Sequence, residues 1–98
     1  MRDTRFVIVH APGHRWKAGA PLFEQDGVHE HVSHYRTLLA EGKLHMGGPF
    51  LDEHGGGMMI PTEGLSRAEI EAFANSDPAV ASGLLRVAVR EWLVGMKR

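Results

Sequence analysis

The run Phe6-Val7-Ile8-Val9-His10 constrains the fold of this chain more than any other segment. Successive side chains of a strand point to opposite faces, so Phe6 and Ile8 share one side and Val7 and Val9 the other. Both sides are apolar, and a strand of that kind belongs where both faces are covered. A similar run closes the chain. From about Leu85 to Val94, Leu85, Val87 and Val89 face one way and Ala88 and Trp92 the other.

Between these strands the pattern changes period twice. After the stop signal Ala11-Pro12-Gly13 comes a loop, residues 13–26, that holds His14, Trp16, Phe23 and Gln25. It is long for a small domain, and long loops are often functional. Val28, Val32, Tyr35, Leu38 and Leu39 then recur at helical spacing. The spacing predicts a helix from near Asp26, as N-cap, to Glu41, with Gly42 beyond its end. Lys43 to Phe50 follows as a strand in which Leu44 and Met46 alternate with Lys43 and His45. Gly47-Gly48-Pro49 interrupts it, as a bulge or strand end would. Residues 52–57, DEHGGG, form a hairpin turn, and Met58-Met59-Ile60 a short strand closed by Pro61. Ser66 and Glu69 have the spacing of a capping box, with Ile70, Phe73 and Ala74 as the buried side of the second helix. Asp77-Pro78 opens a further helical turn, the aspartate as N-cap and the proline at the first helical position; Gly83 ends it.

The order β-α-β-β-α-β is that of the ferredoxin-like split βαβ fold, an α+β arrangement with an antiparallel sheet and both helices on one face. The other face is apolar too, so a second copy packed sheet to sheet is expected, giving a homodimer with a barrel-like interior.

Composition narrows the function. Ninety-eight residues are expected to form a single domain, 1–98. Eleven Lys and Arg against twelve Asp and Glu leave no basic stripe, so nucleic acid is not an expected partner. With no cysteine there is no disulfide, thiolate zinc site or cysteine nucleophile. No apolar run is long enough to span a membrane, no signal peptide is apparent, and a cytoplasmic location is expected. The chain carries neither a P-loop nor a GxGxxG fingerprint.

Seven histidines remain to be sorted, three of them in the first helix. At about 100° per residue, His31 falls beside Tyr35 and Leu38 at the margin of the buried side. His34 lies further round, and His29 on the opposite flank. His31 is the histidine best placed for a semi-buried site, where environment can tune its pKa. The plainer alternative is a helix-edge histidine with one structural hydrogen bond. A metal reading starts from His31 and His34, three apart, with His10, His14 or His45 as a further ligand, but the helical phase separates the first two. His10, at the end of the first strand, reads most simply as a surface position.

His31, Gly42-Lys43-Leu44, Gly47-Gly48-Pro49-Phe50, Gly55-Gly56-Gly57-Met58, Asp77-Pro78-Ala79-Val80 and Gly83-Leu84, in this order and spacing, resemble the YCII-related (YciI-like) family from about residue 5 to Trp92. The resemblance implies a dimeric α+β barrel. It also implies a pocket in which the helix-one histidine, His31, pairs with the aspartate of the Asp-Pro turn, Asp77. Enzymatic members include a dehydrochlorinase acting on a chlorinated ring; lactone isomerases, small monooxygenases and haem proteins share the fold. The expected function is a small-molecule lyase or isomerase needing no cofactor and no metal. His31 is its base and Asp77 the group that orients it; His34, Tyr35, Gly48, Pro49 and Trp16 are expected at the substrate. The alternatives are a metal-dependent enzyme built on His31 and His34, and a dimer that binds a small ligand without catalysis. On its own, Asp77 is simply an N-cap, a role worth ~1 kcal/mol.

Overall fold

In a computed structural model, which describes residues 2–98, the two-sided apolar strand lies in the middle of a four-stranded sheet. The elements are β1 (Thr4–Pro12), α1 (Val28–Ala40), β2 (Leu44–Pro49), β3 (Gly57–Pro61), α2 (Arg67–Asn75), α3 (Pro78–Ala81) and β4 (Leu85–Leu93). The sheet order is β2-β3-β1-β4 and every pairing is antiparallel. This is the ferredoxin-like α+β fold. Ile8, at the centre of β1, stands between Met59 of β3 and Val89 of β4 and is fully buried. Around it Tyr35 and Leu38 of α1 and Ile70 and Ala74 of α2 form the main core. No helix among the described residues is long and apolar enough to cross a membrane.

β1 runs two residues past its expected end. Ala11 and Pro12 still pair with Arg86 and Leu85, and Gly13 N–H continues the ladder to Leu84 O at 2.8 Å. A side chain at Gly13 would come within 2.2 Å of Gly83 O, so glycine is what lets these two backbones meet. α1 begins one residue later than expected. Its N-cap is Gly27, at φ 96°, with no side-chain cap, while Asp26 lies in solvent facing Lys17. Its C-terminus is a Schellman motif: Gly42 N–H bonds Leu39 O and Lys43 N–H bonds Leu38 O, both at 3.0 Å. The Ser66–Glu69 capping box forms as its spacing requires, Ser66 Oγ accepting Glu69 N–H at 3.1 Å.

β2 departs from simple alternation. Leu44 pairs with Pro61, but Met46 pairs with Ile60, a shift of one residue between them. Such a bulge turns following side chains to the opposite face. Leu44 packs on the helix-side core, whereas Met46, expected on the same side, is exposed with Ile60 on the helix-free face. Val7, Val9, Met58 and Trp92 lie on that same face, and Trp92 is 43% exposed.

Candidate active site

The buried side of α1 reads Val28, His31, Tyr35, Leu38, so one histidine is carried inward among apolar residues by helical phase alone. α3 reaches it from the other end of the chain. Asp77 is the N-cap of α3 and is completely buried. Its two carboxylate oxygens have separate partners: Oδ1 accepts Ala79 N–H at 2.9 Å, and Oδ2 lies 2.5 Å from His31 Nδ1. Capping and pairing are thus performed at once by one side chain. Because Nδ1 is engaged with a carboxylate, it carries the proton, and the lone pair of His31 sits on Nε2. That nitrogen makes no hydrogen bond among the described residues and is not sealed from solvent.

Burial raises the Asp77 carboxyl pKa. The hydrogen bonds from His31 and from the Ala79 N–H, with smaller electrostatic help from the two imidazoles, outweigh it, and the net shift is downward. Asp77 is therefore an anion at neutral pH.

A further histidine comes from β1. His10, expected at the surface, is 3% exposed. Period two places it on the same side as Phe6 and Ile8, under α1. Its Nε2 lies 3.3 Å from Tyr35 Oη and 3.9 Å from Asp77 Oδ2, and its ring stands edge-on to that of His31 at 4.8 Å. Burial, reinforced by repulsion from His31, drives its pKa down to about 4 against the pull of Asp77. His10 is neutral at pH 7, so its approach to Asp77 is not an ion pair. Burial pushes the Tyr35 hydroxyl the other way, above its usual value, so the phenol keeps its proton and can donate it to His10.

A measurable pH dependence follows from His10. Between about pH 6.5 and 4 the unfolded chain binds a proton at this residue that the folded chain refuses. Stability rises with pH wherever the unfolded state holds more protons, so His10 costs about 3 kcal/mol as pH falls across this window and nothing above it. Denaturant unfolding at fixed protein concentration should show this loss in the wild type. The curve for His10→Gln should be flatter by that amount.

These rings line a cavity of about 260 Å³ whose remaining wall is largely apolar, with Val28, Val32, Leu44, Met58, Met59 and Leu85 among its contacts. Tyr35, Gly48 and Pro49 also border it. The loop before α1 supplies Leu22 and Phe23 at the mouth. Gln25 is what holds that loop in place. Buried within it, its amide accepts Lys17 N–H at 2.8 Å and donates to Lys17 O and Ala20 O, both at 2.9 Å.

Two residues expected near the substrate stand elsewhere. His34 Nε2 meets Phe73 O at 2.7 Å and must therefore carry the proton, while the ring stacks on Phe73 at 4.0 Å. His34 does not join His31. Trp16 packs against the small cluster Ala79, Leu84 and Leu85 and over Gly55, outside the cavity. The side chains that could share a metal ion are consequently His10, His31 and Asp77, whose ligand atoms lie within 4.8 Å of one another, and not His31 with His34. The 2.5 Å separation of His31 Nδ1 and Asp77 Oδ2 is shorter than the roughly 3.3 Å between two ligand atoms on one tetrahedral zinc. Nδ1 and Oδ2 therefore share a hydrogen bond and do not both ligate one ion.

The chain matches the YCII-related domain over residues 14–93, a span that contains α1, both strands of the β2–β3 hairpin, α2, α3 and β4. It is also 37% identical over 70 residues to the uncharacterised protein YjpA of Bacillus subtilis (strain 168), an alignment covering 71% of this chain and 80% of that protein. His31 and Asp77 both fall inside the matched span, and the chain belongs to the YCII-related family.

Proposed function

We propose that this chain is a small-molecule enzyme of the lyase or isomerase type, acting in the cytoplasm without a bound cofactor. One observation carries the reading: a fully buried carboxylate holds Nδ1 of His31, and His31 lines a largely apolar cavity. Asp77 holds the tautomer and stabilises the imidazolium that forms when Nε2 takes a proton. The electron pair of the broken C–H bond then expels a leaving group, as in dehydrochlorination, or shifts a double bond, as in lactone isomerisation. The imidazolium returns its proton to solvent or to the new position on the substrate. Apolar walls favour this chemistry by excluding competing water.

Proton exchange tests the base even while the natural substrate is unidentified. Incubated in D₂O with a panel of unsaturated lactones and chlorinated hydroquinones, the protein should catalyse deuterium incorporation or loss of chloride, read by NMR. If no member of the panel reacts faster than with His31→Ala, the base reading is wrong, and a dimer that binds ligands without catalysis takes its place.

The same proposal includes a homodimer. Val7, Val9, Met46, Met58 and Trp92 give the helix-free side of the sheet an apolar character that one copy leaves partly in water. A second copy packed sheet to sheet covers it. Sedimentation at micromolar concentration should give twice the 10.8 kDa chain mass. A 10.8 kDa species under those conditions contradicts the pairing.

A further inference from the structure

Arg36 is the one permanently charged side chain on the cavity wall among the described residues. Its charge is unclaimed. It forms no salt bridge to any described residue, and the positions one helical turn away, Val32, Ser33, Leu39 and Ala40, include no acid. An arginine on the rim of an apolar cavity, with no partner of its own, suits a ligand that supplies an anion. The planar guanidinium fork matches a carboxylate better than it matches a neutral amide or hydroxyl.

The cavity sets the size of that ligand. His31 and Arg36 of α1 both line it, so one molecule inside can meet both. At about 260 Å³ it is below the ~300–1,000 Å³ of sites for drug-sized ligands, which suits a single ring. His10 and Tyr35, whose rings meet edge-on at 5.5 Å, are among its lining residues. We infer that this cavity takes a small ring-bearing monocarboxylate, its carboxylate on Arg36 and its ring carbons beneath Nε2 of His31. The inference deepens the reading of the cavity as a substrate site and names the class of substrate.

Benzoate and benzamide are nearly the same shape and differ in charge, so they separate the contribution of Arg36 from that of the walls. Calorimetric titration at low salt should show benzoate binding about fivefold tighter than benzamide, the size expected of an exposed ion pair. Raising the salt should shrink the difference. Arg36→Gln, an exposed change that leaves the core intact, should abolish the preference and leave benzamide binding where it was. Equal binding by the wild type overturns the inference, as does a preference that survives in Arg36→Gln or the failure of both probes to bind at millimolar concentration. Binding is read without turnover, so the two proposals fail separately. A protein that prefers benzoate through Arg36 but exchanges no proton keeps the carboxylate site and loses the base.

Discussion

His31→Ala should lower the rate of proton abstraction by about 10²–10⁴-fold, the usual contribution of a positioned general base. The size of the effect follows from geometry. Among the described residues, no other side chain presents a free imidazole nitrogen of the right tautomer to the cavity beside an ionised carboxylate. His10 is neutral and close by, but its Nε2 is taken up with Tyr35. The variant leaves a void of imidazole size at the cavity wall, so added imidazole should restore part of the lost rate. Rescue of that kind distinguishes loss of the base from general collapse. His31→Ala leaves the Asp77 carboxylate as an uncompensated buried charge, which costs about 3–5 kcal/mol, so the folded fraction must be checked by circular dichroism at the assay temperature. Undiminished exchange by a folded His31→Ala protein would remove His31 from the chemistry.

Asp77→Ala is the stability counterpart. It strips α3 of its N-cap, worth about 1 kcal/mol, and leaves His31 Nδ1–H buried with no acceptor, which costs about 1–3 kcal/mol more. For a chain of this size each kcal/mol lowers Tm by about 4–8 °C, so a fall of roughly 10 °C or more is expected in a calorimetric scan at fixed protein concentration. Asp77→Asn separates the two roles. Its amide oxygen can still accept Ala79 N–H, but its NH₂ group then faces Nδ1 and favours the tautomer with the proton on Nε2. That variant should keep most of the stability and lose most of the proton abstraction. A loss of less than about 1 kcal/mol in Asp77→Ala would mean that the carboxylate contributes no more than an ordinary cap.

Much of this arrangement is legible in the residues, and the parts that are not have definite causes. The central place of β1 follows from its two apolar faces, and the inward turn of His31 from the phase of Val28, Tyr35 and Leu38. The Asp-Pro pair marks the start of α3, and the capping box marks α2. His10 is different. The signal was present, since alternation puts it with Phe6 and Ile8, but a polar residue at a strand end invites an exposed reading. Only the packing of α1 over that end of the strand buries it. The bulge between Leu44 and Met46 has no local mark in the residues that form it; it arises from pairing with Pro61 and Ile60, and pairing is non-local. Asp26 loses the N-cap to Gly27 because the preceding loop is clamped on Gln25, so the chain enters α1 at a left-handed glycine. Trp16 sits in that same loop, and its side chain is drawn to Leu84 and Leu85 where the loop runs beside the start of β4.

The divided carboxylate of Asp77 has a consequence for how this protein comes into being. α3 is only four residues long, too short to persist as an isolated helix, and it holds its shape through contacts that include the one to His31. The first turn of α3 and the tautomer of His31 are therefore set by the same side chain. A nascent or partly denatured chain, in which residues 31 and 77 have not yet met, has an imidazole but no oriented base. The proposed base is thus a property of the fold rather than of His31 alone, because it exists only where residues 31 and 77 have been brought together.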